Sequence, residues 1–352
     1  MISRSWMGVR SVALLLIALS LTGHRPAEAC TRCVYLGPNG TVLTARSMDW
    51  AEDIKSNMWV FPRGMKRNGA TGPTSLNWVS KYGSVIVTGY DLGTADGINE
   101  QGLVANVLYL VESDYGKPEP NSKTISIGAW GQLVLDTCGT VAEAVKFFET
   151  TPLVVIAPTL PNGRLASLHL AVSDPSGDSA IFEYVGGKLV VHHSKAYQVM
   201  TNSPVFDQQL AINQYWEQIG GTVFLPGTNR ASDRFTRASF YIDAIPKTDV
   251  MADALASVFG VIRGVSVPLG ISTPGEPNIS STRWRTVIDQ KNKIYYFDNA
   301  ISPSVFWVKL ADLDFREGQS VKKLTITDGK PRAGNVAKEF TTAEPFVFLG
   351  AN

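Results

Sequence analysis

A cysteine at position 30 follows a stretch that is typical of a cleavable secretory signal. Two arginines precede an apolar run at residues 12–19, and residues 27–29 are Ala-Glu-Ala, an A-x-A cleavage site. Cleavage after residue 29 would give Cys30 both a thiol and a free α-amino group. An α-amine with an ordinary pKa of about 7.7–8.0 exchanges protons near neutral pH. The sequence therefore favours a nucleophile that carries its own base.

Two other interpretations of this cysteine stay open from the junction alone. Bacterial lipoproteins acylate a cysteine at such a junction, although Glu28 fits that processing signal poorly. Cys30 and Cys33 also form a C-x-x-C, but a strand-like run follows it, whereas a redox motif opens a helix. The remaining cysteine, Cys138, and the histidines lack the spacing of zinc ligands. The alternative to an enzyme is a lipid-anchored, non-catalytic periplasmic binding or structural protein.

A cation and a carboxylate are placed to fold back beside Cys30. Two strand-like runs, residues 33–36 and 41–48, flank an Asn-Gly hairpin turn. The second strand would bring Arg46 and Asp49 near the cysteine. A nearby cation lowers the pKa of a thiol, and a carboxylate can accept a hydrogen bond from an α-amino group. The simpler alternative is a surface arginine and aspartate at a strand end.

Composition excludes several classes of partner. Without residues 1–29, the 32 basic and 31 acidic side chains become 29 and 30, and no basic block is present. Nucleic acid and anionic membranes are therefore not expected as partners. The run at residues 12–19 is too short to span a bilayer, and no longer apolar run follows it. We expect a periplasmic or secreted protein in which Cys138 is a small buried hydrophobic residue.

Strand-like and helical segments occur in groups along the chain and do not alternate strictly. Further strands are predicted at residues 58–61, 84–90, 103–110, 165–173, 179–185, 188–192, 282–289, 294–298, 305–310 and 322–327. Helices are predicted at residues 125–135, 141–150, 206–216, 232–245 and 249–261, and a loop at residues 273–277. This grouping predicts an α+β fold, with residues 30–352 as a single domain.

Several motifs occur in the order found in one family of hydrolases. They are Cys-Thr-Arg at 30–32, Arg-Ser-Met-Asp-Trp at 46–50, Asp-Gly-Ile-Asn-Glu-Gln-Gly-Leu at 96–103, Met-Thr-Asn-Ser-Pro at 200–204 and Arg-Phe-Thr-Arg-Ala at 234–238. The chain resembles the choloylglycine hydrolases, which include bile salt hydrolases and penicillin V acylases. The resemblance implies an N-terminal nucleophile hydrolase with a four-layer αββα sandwich. It also implies hydrolysis of a small-molecule linear amide, without cofactor or metal.

The resemblance assigns the chemistry at the start of the chain to three residues. The Cys30 thiolate attacks the amide carbonyl while its α-amino group moves the proton. Asp49 holds that amino group, and Arg46 lies beside the sulfur. The acyl-enzyme is then hydrolysed by water.

Three further residues are assigned by the same resemblance. Asn202 lies at the oxyanion site, where a side-chain N–H meets the developing negative charge. Tyr109 completes that site through its side chain or backbone. Arg234 organises the nucleophile, with Arg237 as the alternative match. From the residues alone, Asn202 could equally cap the helix that is expected near residue 206.

Substrate preference follows from the way the chain departs from the family pattern. The chain resembles the Gram-negative penicillin V acylases in two features. It has a tyrosine at position 109, and its segment between Asn202 and Arg234 is short. That branch implies phenoxyacetyl amides or fatty-acyl homoserine lactones as substrates. The family as a whole implies a homotetramer, but the long loop linked to that assembly is cut down in this branch, so the oligomeric state stays open. Trp50 is expected at the substrate, and any of four tryptophans could line an apolar acyl pocket or belong to the core: Trp50, Trp59, Trp78 and Trp130. A Cys30–Cys33 disulfide that silences the enzyme is a further hypothesis.

Overall fold

A computed structural model of the chain describes residues 29–120, 122–220, 223–271 and 280–350. Residues 1–28 of the predicted signal peptide and the loop predicted at residues 273–277 lie outside the described residues. Strands and helices are numbered below in chain order. No helix within the described ranges is long and apolar enough to cross a bilayer.

Sheet one contains the strand that begins next to Cys30. It has seven strands in the order β14-β1-β2-β15-β16-β17-β19, and only the last pair is parallel. Its strands are β1 (Ala29–Leu36), β2 (Val42–Trp50), β14 (Val199–Met200), β15 (Ser281–Asp289), β16 (Ile294–Asn299), β17 (Val305–Lys309) and β19 (Gly334–Asn335).

Sheet two is antiparallel and has nine strands in the order β13-β12-β11-β8-β7-β6-β3-β18-β20. They are β3 (Met58–Phe61), β6 (Ser84–Gly89), β7 (Gly93–Asn99), β8 (Val104–Tyr109), β11 (Leu168–Ser173), β12 (Ser179–Val185), β13 (Lys188–His193), β18 (Lys322–Leu324) and β20 (Thr341–Thr342). Two small pairs lie apart from the large sheets: β4 (Lys66–Asn68) with β5 (Asn77–Val79), and β9 (Lys123–Ser126) with β10 (Leu153–Ile156).

Helices cover the outer face of each sheet, which completes the predicted αββα layers. Helices α1 (Ile127–Thr137) and α2 (Val141–Thr150) pack on sheet two, and the other three described helices form a layer whose last two members pack on sheet one. These three are α3 (Phe206–Ile219), α4 (Ala231–Ala244) and α5 (Met251–Gly264). One apolar cluster lies between the sheets and under α3–α5, and a second lies between sheet two and α1–α2.

The register of β1 against β2 decides which side chains face sheet two. Cys30 lies opposite Met48, and Arg32 lies opposite Arg46. Because alternate residues of a strand point to opposite faces, these four share one face. Arg32 confirms the direction, since it donates hydrogen bonds to Ser179 and to the Val172 carbonyl in sheet two.

The hairpin and most of the elements predicted from the sequence are present. The turn contains Asn39 and Gly40 in the left-handed region, with φ of 55° and 71°. The sequence analysis missed β7 because two of its seven residues are glycines, which weaken a strand pattern. Glycine is required at Gly97, where β7 packs against α1. A β-carbon there would lie 2.7 Å from Ile86 and 2.9 Å from Leu135.

Two glycine substitutions should change stability in opposite directions. Gly97→Ala overpacks the contact between sheet two and α1, and we expect it to destabilise the fold by about 1–3 kcal/mol. Gly260→Ala places a methyl group in α5, where no heavy atom lies within 4 Å. It should stabilise the fold by up to about 1 kcal/mol, because alanine favours helix. Thermal midpoints of the two variants and the parent test this, and shifts of the same sign would contradict it.

Candidate active site

The thiol of Cys30 is buried between the two sheets, with 1 % of the residue exposed. Its Sγ lies 3.9 Å from Nη2 of Arg46 and 3.9 Å from Sδ of Met48. Burial raises the pKa of the Cys30 thiol, and the Arg46 cation opposes this effect. The thiol is therefore protonated at neutral pH, so a base must remove its proton before it can act as a nucleophile.

The side chain of Arg46, on β2 of sheet one, extends past the Cys30 sulfur into a gap in sheet two. The pairing of β7 with β8 runs from Ile98 and Val104 to Asp96 and Asn106, where it stops. Both strands continue beyond that point without pairing to each other. The separated segments, residues 93–95 and 107–109, border a gap that we call the fork. The fully buried guanidinium of Arg46 donates hydrogen bonds to the Ala95 carbonyl on one side and, at 2.7 Å, to the Val107 carbonyl on the other. Arg46 thus replaces the missing backbone pairing and holds a cation beside the sulfur.

Asp96 is the buried carboxylate that faces this guanidinium. Its Oδ2 lies 3.7 Å from Nη1 of Arg46 and accepts a 2.7 Å hydrogen bond from Asn106. Its Oδ1 accepts a hydrogen bond from the hydroxyl of Tyr295. Burial raises the pKa of Asp96, and Arg46 and these hydrogen bonds oppose the shift. Asp96 therefore orients Arg46, a role that the sequence analysis did not assign to it.

The side-chain amide of Asn202 joins three parts of the site. Its Oδ1 accepts the backbone N–H of Cys30 at 2.5 Å and Nη2 of Arg234 at 2.8 Å. Its Nδ2 donates to the Tyr109 carbonyl at 2.7 Å. Helix α3 begins at Phe206 without a side-chain cap. The capping alternative for Asn202 is therefore wrong.

Arg234, rather than Arg237, reaches the nucleophile. Its Nη1 donates to the Cys30 carbonyl and to the Thr31 hydroxyl, both at 2.6 Å. Arg237 lies one turn later in α4 and donates instead to backbone carbonyls of the loop before that helix. The geometry therefore supports Arg234, and not Arg237, as the arginine that organises the nucleophile.

Asp49 lies on the other face of β2 from the thiol and next to Arg234. Its Oδ2 lies 3.8 Å from Nη1 of Arg234, and it also accepts hydrogen bonds from Ser47 and Thr282. Burial raises the pKa of Asp49, and Arg234 opposes the shift. In the described chain Ala29 is still joined to Cys30, and the single N–H of Cys30 points to Asn202 rather than to Asp49.

Asp49 is nevertheless the register partner of Ala29. The carboxylate-bearing residue therefore lies directly across from the predicted cleavage junction. Its contact with an α-amino group stays a prediction, because that group exists only after the bond between Ala29 and Cys30 is broken.

An apolar pocket opens beside the sulfur of Cys30. Trp50 and Tyr109 line it, with their rings edge to face at a centroid distance of 5.9 Å. Trp50 donates from Nε1 to the Tyr90 hydroxyl at 2.9 Å, which fixes the indole. Most of the rest of the wall is aliphatic or glycine, as is usual for sites that bind apolar groups.

The other tryptophans and Cys33 do not belong to this pocket. Trp59, Trp78 and Trp130 contribute to the second apolar cluster, behind sheet two. Cys33 is three residues after Cys30 and faces α3–α5, on the opposite side of sheet one. All three cysteines are free, and burial raises the pKa of Cys33 to about 12. The structure therefore contradicts the hypothesis of a Cys30–Cys33 disulfide.

A buried histidine–glutamate contact that the sequence analysis missed holds the backbone next to Asn202. His169 contacts the Thr201 carbonyl through Nε2 at 2.8 Å and Glu183 through Nδ1 at 2.9 Å. Burial alone would raise the pKa of Glu183, but hydrogen bonds from His169 and His192 outweigh it and lower the pKa to about 2.

This pair fixes the backbone just before Asn202, and Glu183 also accepts the N–H of Phe206 at the start of α3. The signal available in the sequence was a histidine and a glutamate in two strands with apolar neighbours. Only their pairing across β11 and β12 distinguishes them from unrelated polar residues.

A known family of hydrolases matches most of the chain. The model of the linear amide C–N hydrolases of the choloylglycine hydrolase family matches residues 30–324. The chain belongs to the choloylglycine hydrolase family. It is accordingly a linear amide C–N hydrolase with the N-terminal nucleophile hydrolase fold, as the sequence analysis expected.

Two penicillin V acylases are similar to this chain over nearly its whole length. A penicillin V acylase of Pectobacterium atrosepticum is 49% identical over 363 aligned positions, covering 96% of each chain. The structure of a penicillin V acylase from Agrobacterium tumefaciens superimposes with a TM-score of 0.85 at 56% identity, covering 91% of this chain and 100% of that one. A variant of the Clostridium perfringens conjugated bile acid hydrolase shares the fold, with a TM-score of 0.73 at 24% identity over 84% of this chain and 96% of that one.

The Glu183–His169 pair should make stability depend on acid pH. The folded-state pKa of Glu183 is about 2, below the ordinary value of 4.5. The ionised Glu183 carboxylate therefore stabilises the fold above pH 4.5, and this contribution is lost as the pH falls towards 2. We expect Glu183→Gln to be less stable than the parent by roughly 3 kcal/mol near neutral pH, with a difference that shrinks between the two pKa values.

Urea unfolding at a series of pH values measures this difference. Glu149→Gln, at an exposed position of α2, is the matched control and should show a small difference that stays the same throughout. A Glu183→Gln deficit that is constant from neutral pH to the acid limit would contradict the assignment.

Proposed function

We propose that the processed chain hydrolyses the side-chain amide of penicillin V and other N-acyl amides, with Cys30 as nucleophile and its α-amino group as base. The observation that carries the proposal is the position of Asn202, whose amide contacts the nitrogen of Cys30, Arg234 and the Tyr109 carbonyl beside an apolar pocket. The penicillin V acylases at 49% and 56% identity support this substrate class.

The reaction begins with a proton transfer within one residue. The α-amine takes the proton of the Cys30 thiol, and the sulfur attacks the acyl carbonyl. The C–N bond breaks as the α-ammonium group returns the proton to the leaving amine. Water, deprotonated by the same α-amine, then cleaves the thioester and releases the carboxylic acid. No histidine is needed, because the nucleophile and the base belong to the same residue.

The oxyanion would be stabilised by the second hydrogen of the Asn202 amide. An amide nitrogen has two hydrogens, and one of them is committed to the Tyr109 carbonyl. Tyr109 thereby aims the other towards the carbonyl oxygen of the substrate. Loss of one such donor commonly costs roughly 3 kcal/mol of transition-state stabilisation.

The acyl group would occupy the pocket, and the amine would remain at its mouth. The edges of Trp50 and Tyr109 suit the aromatic ring of a phenoxyacetyl group, since aromatic rings favour edge-to-face contacts. An aliphatic wall also suits the acyl chain of a fatty-acyl homoserine lactone. A lipid anchor on Cys30 is the less favoured role, because its thiol is buried between the two sheets.

Maturation and location complete the proposal. Export with cleavage after Ala29 would create the α-amine and place the enzyme in the periplasm or outside the cell. We also propose a homotetramer, which is the assembly implied by the family, and light scattering on the purified protein measures it.

The test uses the exported protein with its N-terminal mass determined. A mass that begins at Cys30 with no lipid adduct, together with hydrolysis of penicillin V, glycocholate or a long-chain acyl homoserine lactone, supports the proposal. Cys30→Ala should abolish turnover, while Cys33→Ala should keep it, since Cys33 faces the other side of the strand. A diacylglyceryl adduct, or full activity in Cys30→Ala, would overturn the proposal.

A further inference from the structure

We propose that Leu349, in the C-terminal segment, forms the end wall of the acyl pocket and limits the length of the acyl chain that is accepted. The inference rests on the proposed function for its substrate class, but it concerns a residue outside the matched family region, which ends at 324.

The pocket passes through sheet two instead of stopping at its inner face. It begins at Cys30 and Arg46 between the sheets, and it is bordered by both sides of the fork, including Thr94 and Val107. Its lining then continues to Ile127 at the start of α1, which belongs to the apolar cluster behind sheet two. The fork is thus the passage, and the far end of the pocket lies where α1 begins.

Leu349 lies at that far end and is fixed from two sides. Its backbone N–H donates to the Leu92 carbonyl at 2.7 Å, next to the fork. Its carbonyl accepts a hydrogen bond from Ser126, the N-cap residue of α1. The residue therefore spans from the β6–β7 turn to the start of α1 and lines the pocket between them.

Backbone contacts leave little room for this wall to move. A β-carbon at Gly93 would lie 2.8 Å from Cα of Gly128, and one at Gly128 would lie 2.9 Å from the Leu92 carbonyl oxygen and 3.5 Å from the nitrogen of Leu349. Three backbone segments thus meet with no side chain between them. Leu349 is the residue of the C-terminal segment that lines the pocket there.

The C-terminal segment is anchored by two aromatic residues before Leu349. Phe346 packs edge to face on Trp59 at a centroid distance of 5.4 Å. Phe348 is buried, and the guanidinium of Arg67 lies 5.7 Å from its ring centroid. Because these anchors belong to the core behind sheet two, Leu349 is held as a wall of fixed position rather than as a loose cover.

A wall of fixed position implies a cutoff in acyl length. Each methylene that is buried in the pocket should raise kcat/KM about fourfold until the chain meets Leu349, after which longer chains should lose this gain. Leu349→Ala removes three carbons and should move the optimum to chains about two or three methylenes longer. Leu349→Phe should move it to shorter chains.

The experiment measures kcat/KM for straight-chain N-acyl homoserine lactones from hexanoyl to tetradecanoyl with the parent and both variants. Val347→Ala is the matched control, because Val347 is 78% exposed in the same segment and does not line the pocket. It should keep the parent's optimum. Opposite shifts in the two Leu349 variants support the inference. An unchanged optimum, or an equal loss at every length, would overturn it.

A binding series separates this inference from the proposed function. Calorimetric titration of Cys30→Ala, with and without Leu349→Ala, by free fatty acids of the same lengths reports the pocket without turnover. If the parent hydrolyses no substrate but the preferred fatty-acid length shifts with Leu349, the proposed function fails and the inference stands. If the parent is active and neither series shifts, the inference alone fails.

Discussion

The guanidinium of Arg46 is the buried cation around which this site is built. Burying a charge between two sheets is costly unless its donors find acceptors. Here the acceptors are the carbonyls of Ala95 and Val107, which are available because β7 and β8 are not paired with each other at residues 93–95 and 107–109. One cation therefore keeps the fork open and remains next to the sulfur of Cys30. The hydrogen bonds of Arg46 to these two carbonyls therefore place its cation beside the nucleophile and also shape the pocket.

A second buried pair, Arg234 with Asp49, occupies the opposite face of sheet one. The amide of Asn202 connects the two faces, since its oxygen contacts Arg234 and the nitrogen of Cys30 while its nitrogen contacts β8. Behind it, His169 holds the preceding carbonyl. Orientation of the reacting groups thus comes from the folded core and needs no mobile loop. This is the arrangement that catalysis by fixed dipoles requires.

Local patterns predicted the part of the site that is close in sequence. The Asn-Gly hairpin placed Arg46 and Asp49 near Cys30, and strand alternation is sufficient to separate Cys30 from Cys33. Asn202 and Arg234 came from motif resemblance, because no local rule connects residues that are about 170 and 200 positions away. Asp96, Glu183 and Leu349 were missed, since their roles depend on contacts across sheets or with the chain's last residues.

The most direct test of the account compares two chains that differ only at the terminus. One begins at Cys30, and the other retains Ala29 in front of it. Stopped-flow measurement of acyl-enzyme formation with penicillin V should show acylation slower by about 10²–10⁴-fold in the chain with Ala29, because its cysteine lacks the α-amine that acts as base. Equal acylation rates in the two chains would contradict the central claim that Cys30 supplies both the nucleophile and the base.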